Sequence, residues 1–502
     1  MAPESRQVDT NDLSPAELRV WHAFPKGISV DLRAADDEDA AQGADWGQER
    51  TVRAEVLRTL LLSGPQEEGE IPALKLAGAR ITGTLDLAYG TIDHALRLSD
   101  CFFEETPLLY AARLRQLSLN GSVLPGLAAA IVQVEGMVHL SGCRFRGPVR
   151  LGGARIDGAL FMDACEIIPP DTTEWPALRL GHATIGDNLW APGLVAHGEV
   201  RLSGASVAGS ATLDRARLGN PGGAALDAET LVVGSNLLMR HIRVQGWIGL
   251  RGARVPGRLD LSYAHLSNPG DTALRASSCA IGELWLRKAP PMEGALNLRR
   301  TQIEVLFLEP EVLPDEVMLN GLVYTTLTPH ESAERRLPML HSESEGYLPH
   351  GYEQLTGAFL RVGDDHAARV VQLAKIRRHR RTLPWQARVW GHLQEATVGY
   401  GFRPLLAGFW LLSLLAVGSV VYGLHHPPPL KPDEAPDFNP VFFTLDLLLP
   451  VISFGQESAF APQGWYQTLS YALIVAGWVL ATTVFAGVTR TTSRGANPGG
   501  SP

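Results

Sequence analysis

Apolar positions between residues 73 and 310 come in pairs separated by one residue, and the pairs step by five, then six. Three tandem repeats of 11 residues open the stretch: ALKLAGARITG (73–83), TLDLAYGTIDH (84–94) and ALRLSDCFFEE (95–105). In each, the second, fourth and ninth positions are apolar: Leu74, Leu76, Ile81; Leu85, Leu87, Ile92; Leu96, Leu98, Phe103. The seventh is small: Ala79, Gly90, Cys101. The phase returns at Val138/Leu140/Cys143/Phe145, Val149/Leu151/Ala154/Ile156, Leu160/Met162/Cys165/Ile167, Val200/Leu202/Ala205/Val207, Ile248/Leu250/Ala253/Val255 and Leu259/Leu261/Ala264/Leu266. Leu178, Leu226 and Leu274 each begin a repeat, 48 residues apart. An i, i+2 pair places both side chains on one face of a short extended segment. The Gly, Asp and Asn residues that follow suit a corner. Two faces per 11 residues give four in about 22, one turn of a square solenoid. An amphipathic helix would need apolar residues at i, i+3, i+4 and i+7, which this stretch lacks. The pattern predicts a mainly β fold, a quadrilateral right-handed parallel β-helix over 71–328.

A unit of a small residue, any residue, then Leu or Phe resembles the pentapeptide-repeat family. Ala79/Ile81, Cys101/Phe103, Ala154/Ile156 and Ala205/Val207 fit it. Every second unit carries one residue more, so the corners should be less regular than in a strict array. The resemblance covers nearly half the chain and implies a fold, not a chemistry.

The flanks are helical by periodicity. Residues 1–70 form an expected N-terminal helical cap, with helices over 13–24 and 50–62. The second has a stripe of Val52, Val56, Leu57, Leu60 and Leu61, placed to cover the exposed edge of the first coil. Residues 329–350, rich in Pro, His, Ser and Glu, read as a linker. Residues 351–363 and 364–383 read as a helix hairpin with Gly363 at the turn and Asp364 as N-cap; the basic juxtamembrane helices are expected over 351–400. Residues 401–502 read as a membrane region. Its spans are 405–424 and 466–488, both uncharged and long enough for a core of about 30 Å. The apolar segment 441–454 between them is too short to span and is expected in the interface or re-entering the bilayer.

The chain has 502 residues, a net charge of -9 and 45% hydrophobic residues. These values exclude a disordered acidic protein and a basic nucleic-acid binder. Acidic residues concentrate in 1–70, while the solenoid is close to neutral, which argues against DNA mimicry. The four cysteines, Cys101, Cys143, Cys165 and Cys279, all fall at the small inward position. They read as packed core residues, in a reducing compartment, with no disulfide framework. No secretory leader is legible at the N-terminus.

Motifs for catalysis, cofactors or metals are not legible. There is no GxGxxG after a strand, GxxxxGK[ST], HExxH or GxSxG, so no catalytic residue, cofactor or metal ligand is assigned. Asp446, inside an apolar segment at membrane depth, is a candidate functional residue, together with Pro450 and Gln456. Arg377, Arg378, Arg380 and Arg381 precede the first apolar segment and are expected to contact anionic lipid headgroups. Positive charge before the first span and after the second places both termini in the cytoplasm of an inner-membrane protein. The capping helix, the Leu-rich array, the basic helix 368–381, the stretch 399–404 and the LDLLLP segment (445–450) together resemble a group of actinobacterial membrane proteins often labelled oxidoreductases. That resemblance implies redox activity, though no residue here carries it. The expected function is a membrane-held β-solenoid that scaffolds a protein partner. A small-ion channel and an oxidoreductase are the alternatives. Membrane lipid, a protein partner and a second copy of the chain are the expected partners; nucleic acid is not.

Overall fold

A computed structural model of the chain describes residues 12–35, 38–170, 175–382, 384–385, 404–431, 436–449 and 452–492. The chain divides into two compact units, Met1–Ala367 and Ala368–Pro502.

The first unit is a parallel β-solenoid of about 11 turns, consistent with a pentapeptide-repeat-like fold. One ladder of inward residues runs its whole length. It begins Leu74, Leu96, Leu117, Val138, Leu160, Leu189 and continues Ala211, Leu237, Leu259, Leu284, Leu306, Leu327. A second ladder joins Ile92, Leu114, Val134, Ile156, Ile185 and Val207. A third joins Leu127, Val149, Leu178, Val200, Leu226, Ile248, Leu274, Leu296 and Val317. The fourth carries Leu124, Phe145, Ile167, Ala196, Leu218, Val244 and Leu266. These four inward faces are the ones the pair spacing predicts. Every strand pairing is parallel, so each coil bonds only to the coils on either side.

The corners explain the small residues. Along one edge Gly78, Asp100, Gly121, Gly142, Ala164, Gly193, Arg215, His241 and Tyr263 share a left-handed conformation, φ 50–70°. Each donates its N–H to the next coil, as Gly142 does to Asp163 and Arg215 to Arg240. Left-handed backbone is free for Gly and strained for a side chain, so the column tolerates non-glycines only because neighbouring coils hold it in place.

Both ends of the stack are covered. At the start, Val30–Asp31 pairs with Leu76–Ala77, and Thr51–Arg53 pairs with Arg80–Thr82. Helix α1 (Pro15–Ala23) opens with a capping box between Ser14 and Glu17. The buried Glu17 carboxylate also binds the Arg53 backbone N–H at 2.9 Å and its guanidinium at 2.8 Å. Helix α2 (Ala54–Ser63) buries Val56, Leu57, Leu60 and Leu61. The expected helix 50–62 therefore starts later, because 51–53 is recruited as an edge strand.

At the far end the stretch expected as a linker is structured. Helix α3 (Ala333–His341) buries Arg336, whose guanidinium donates to the carbonyl of Leu308 at 2.5 Å and to that of Pro329. Glu343 bridges Val317 and accepts the Leu319 N–H at 2.7 Å. Helix α4 (Pro349–Arg361) follows, and its Gln354 donates to the Tyr324 carbonyl at 2.5 Å. Gly363 makes the expected turn at φ 80°. Asp364 accepts the Ala367 N–H at 2.9 Å as helix α5 (Asp365–Thr382) begins.

The second unit corrects the membrane reading. Helices α6 (Pro404–Leu424), α7 (Pro440–Leu448) and α8 (Trp465–Thr492) pack together. Among the described residues no helix is long and apolar enough to cross a membrane. The two-span fold and the two-span inner-membrane location with both termini cytoplasmic are therefore not supported. Of the apolar segment 441–454, residues up to Leu448 belong to α7. Helix α7 buries Phe443, Leu447 and Leu448 against Tyr422, Phe460 and Leu473. The Tyr422 hydroxyl donates to the Tyr466 carbonyl at 2.9 Å. Gly418 and Gly477 permit the close approach, since a Cβ would meet the Thr444 side chain at 2.3 Å and the Leu448 carbonyl at 2.2 Å respectively.

Candidate functional site

The residues singled out from sequence fall in three places. Asp446 and Gln456 come together. Asp446 is 5% exposed. One carboxylate oxygen accepts the Phe454 N–H at 2.5 Å; the other accepts those of Gln456 at 2.8 Å and Glu457 at 3.0 Å. The Gln456 side chain accepts the Asn439 N–H at 3.2 Å and donates to the Asp437 carbonyl at 3.1 Å. Asn439 in turn caps α7, accepting from Val441 and Phe442. A carboxylate met by three backbone amides is held through both of its oxygens. Asp446 is thus the clasp that folds the loop 452–457 back onto α7. Pro450 lies outside the described residues. Arg377, Arg378, Arg380 and Arg381 lie in the last turns of α5, where cations complement the helix dipole.

The cysteines are buried and unpaired, and they do more than fill space. Cys143, Cys165 and Cys279 donate their thiols to the carbonyls of Leu119, Leu140 and Leu250 at 2.9, 2.8 and 2.9 Å. Ser122 and Thr301 make the same contact with hydroxyls, to Leu98 at 3.0 Å and Ala276 at 2.5 Å. The inward corner position therefore wants a small donor for a carbonyl of the preceding coil. Burial pushes the Cys101 and Cys165 thiols up to about 12 and Cys279 to about 11. Reactive cysteines need the opposite, an exposed site that favours thiolate. Among the described residues no group of three or more His, Cys, Asp or Glu side chains is placed to hold a metal ion.

The lateral face of the solenoid carries chemistry that the sequence reading passed over. The residue between each inward pair points outward. On the long ladder these residues run His139, Phe161, Trp190, Thr212, Leu238, Asp260, Trp285, Phe307. His139 stacks on Phe161 with centroids 4.6 Å apart, and Trp285 on Phe307 at 5.2 Å. On the adjoining corner His241 stacks on Tyr263 at 4.4 Å. The guanidiniums of Arg258 and Arg287 lie 4.0 and 4.1 Å from the Trp285 ring centroid. Glu283 binds both Arg258, at 2.9 Å, and the Trp285 indole N–H, at 3.0 Å. Asp260, 3% exposed, accepts the Ser262 N–H and hydroxyl at 2.9 and 2.5 Å. The Ser262 oxygen in turn accepts the Arg287 Nε–H at 3.1 Å. Asp214 holds Arg240 at 3.0 Å and raises the pKa of that guanidinium. A cleft of about 430 Å³ opens among these groups. The signal was available: at Leu160-Phe161-Met162, Leu189-Trp190-Ala191, Leu284-Trp285-Leu286 and Leu306-Phe307-Leu308 the middle residue is aromatic.

No known protein family, curated protein or solved structure matches the chain.

Proposed function

We propose that the solenoid is a non-catalytic recognition surface, a scaffold that binds a protein partner through its lateral face. The observation that carries this reading is the concentration of Trp190, Tyr263, Trp285, Phe307, Arg258 and Arg287 on one side of the stack. Trp, Tyr and Arg are the residue types that anchor interfaces. Trp190 is 44% exposed, a large apolar ring left facing solvent on an otherwise well-packed body. The covered ends support the same reading, because they leave the sides as the surfaces through which such a rod makes contacts. An oxidoreductase has nothing to rest on in the thiols, which are buried and held protonated. A photo-crosslinking residue placed at Trp190 in the full chain, expressed in cells, should give a discrete protein adduct. The same residue at Val232, on a different face, should give none. Pairing Trp285→Ala with Arg287→Ala should abolish the adduct at position 190. Equal labelling from both faces, or none from position 190, overturns the scaffold.

A further inference from the structure

On the third ladder the outward residues of three successive rungs are Arg150, Arg179 and Arg201. Like charges at paired positions repel, and the three arginines are treated differently. Arg201 is neutralised: Glu199 holds its Nε at 2.6 Å and Asp227 lies 3.8 Å away. Arg150 and Arg179 have no acidic partner among the described residues. Instead both guanidiniums stand 5.8 Å from the ring centroid of one tryptophan, Trp175. The stem of Arg179 leans back over the preceding coil. A Cβ at Gly152, two residues after Arg150, would meet the Arg179 Nε at 3.2 Å and its Cγ and Cδ at 3.5 Å. The glycine therefore lets Arg179 reach onto the coil of Arg150. Two cationic heads are brought to one indole, and both Arg179 and Trp175 are exposed. Such a pair costs stability, and an anion shared by the two heads relieves the cost.

We propose that Arg150, Arg179 and Trp175 form a binding site for a phosphate group, with both guanidiniums on one tetrahedral dianion and the indole as an apolar wall. A phosphate accepting N–H bonds of about 2.8 Å from each arginine spans a rung spacing of about 4.8 Å. Arginine forks suit this anion, since each presents parallel donors to a pair of oxygens. A carboxylate offers one such pair and a single charge, so it satisfies one fork. Two sources share the chemistry: free inorganic phosphate, and the monoester of a small molecule whose organic part lies against Trp175. The site is on a different face from Trp190 and Trp285, so it stands or falls independently of the scaffold.

Calorimetry and phosphorus NMR on the full chain, at a constant ionic strength of about 0.15 M, would use inorganic phosphate, phenyl phosphate and acetate as probes. At least one of the two phosphates should bind with a Kd of about 1 mM or tighter, and acetate about tenfold or more weaker. Phenyl phosphate tighter than inorganic phosphate identifies the monoester; equal or weaker binding identifies the free ion. Arg150→Gln and Arg179→Gln should each weaken binding by about tenfold or more. Arg217→Gln changes another arginine pair on paired rungs, Arg217 and Arg243, and should leave binding unchanged. Phosphate should raise the Tm of the parent but not that of Arg179→Gln, because only a bound ligand stabilises by mass action. The proposal falls if neither phosphate saturates, if acetate binds as well as they do, or if Arg179→Gln binds as the parent does. Equal weakening by Arg217→Gln would reduce the effect to net charge and overturn it too. Should Arg150→Gln fail to fold, Arg179→Gln, at an exposed side chain, decides alone.

Discussion

The two units keep order in different ways. In the solenoid each inward side chain meets copies of its own position one coil above and below, and the polar work is done at corners by small donors such as Cys143 and Ser122. Order is distributed, and no single residue holds more than its neighbouring coils. In the helical unit the described residues form one apolar cluster of six buried side chains, and one carboxylate, Asp446, gathers three backbone amides. Order there is concentrated in a clasp. The surfaces differ as well. The solenoid buries the Leu, Ile and Val of its inward ladders, whereas Phe409, Leu412, Val420, Val475 and Trp478 of the helical unit are exposed. Repetition lets a rod bury its apolar residues coil against coil.

The sharpest test of the distributed order is a charge inside it. Leu85→Asp places a carboxylate at a position 2% exposed and should cost about 4–5 kcal/mol or unfold the first coils outright. Asp86→Leu, one residue away on the outside, removes only the bond to the Ala88 N–H and should cost about 1 kcal/mol or less. Urea unfolding of both variants checks the pair; equal losses would mean that inward and outward positions have been exchanged.

Next in size is the cap, where the solenoid does depend on one group. Glu17→Ala leaves Arg53 and the Ser14 N–H without their shared acceptor and should cost about 3 kcal/mol. Burial pushes the Glu17 pKa up, but the Arg53 guanidinium and the N–H groups of Ser14 and Arg53 outweigh it and hold the value below 4.5. Its contribution is thus full above the unfolded value and is lost as pH falls through the lowered folded one. Acid unfolding followed by circular dichroism should show a shallower acid limb in the Glu17→Gln variant than in the parent.

The clasp comes third. Asp446→Asn keeps one acceptor oxygen and removes the charge, so it should cost about 2–3 kcal/mol. Hydrogen exchange should quicken at Phe454, Gln456 and Glu457 while the solenoid amides stay unchanged. Exchange that quickens evenly across the helical unit would show that Asp446 is not a local clasp.

The corner donors give a smaller effect. Cys143→Ser keeps a donor to the Leu119 carbonyl, as Ser122 does in the coil before, and should be close to neutral. Cys143→Ala loses it and should cost about 1 kcal/mol. Thermal melts separate the two; identical melts would reduce the cysteine to a space-filler. Smallest, and of opposite sign, is Ile131→Asn. Ile131 is β-branched yet holds φ at 51° on the surface, a strained combination. Asn tolerates that conformation, so the variant should gain about 0.5–1 kcal/mol, visible as a raised Tm.

Most of the solenoid was legible in the chain, and the candidate site was not. Leu74, Leu85, Leu96 and their equivalents reveal period and phase because each must face the same buried axis, and a one-residue slip would expose them all. The aromatic face escaped notice because its members, Trp190, Trp285 and Phe307, lie at least one coil apart in sequence and look like isolated outward residues. Only register brings Trp285 onto Phe307 and Arg287 onto both. Asp446 was singled out for its charge in an apolar run, but the partners that explain it are backbone amides, which no side-chain pattern can display.

What the sequence determined by itself was the four-faced stack, the small inward corners and the covered first coil. Local spacing decides these, since each side chain's direction follows from its place in an extended segment. The tertiary structure decided the covered far end, where 333–341 became a helix around a buried Arg336. It also decided the fate of the apolar C-terminal segments. Hydropathy reports how strongly a stretch avoids water but not what it packs against. In this chain α6, α7 and α8 find one another through Tyr422, Phe443 and Leu473, because contacts between segments distant in sequence are fixed by three-dimensional fit and not by composition.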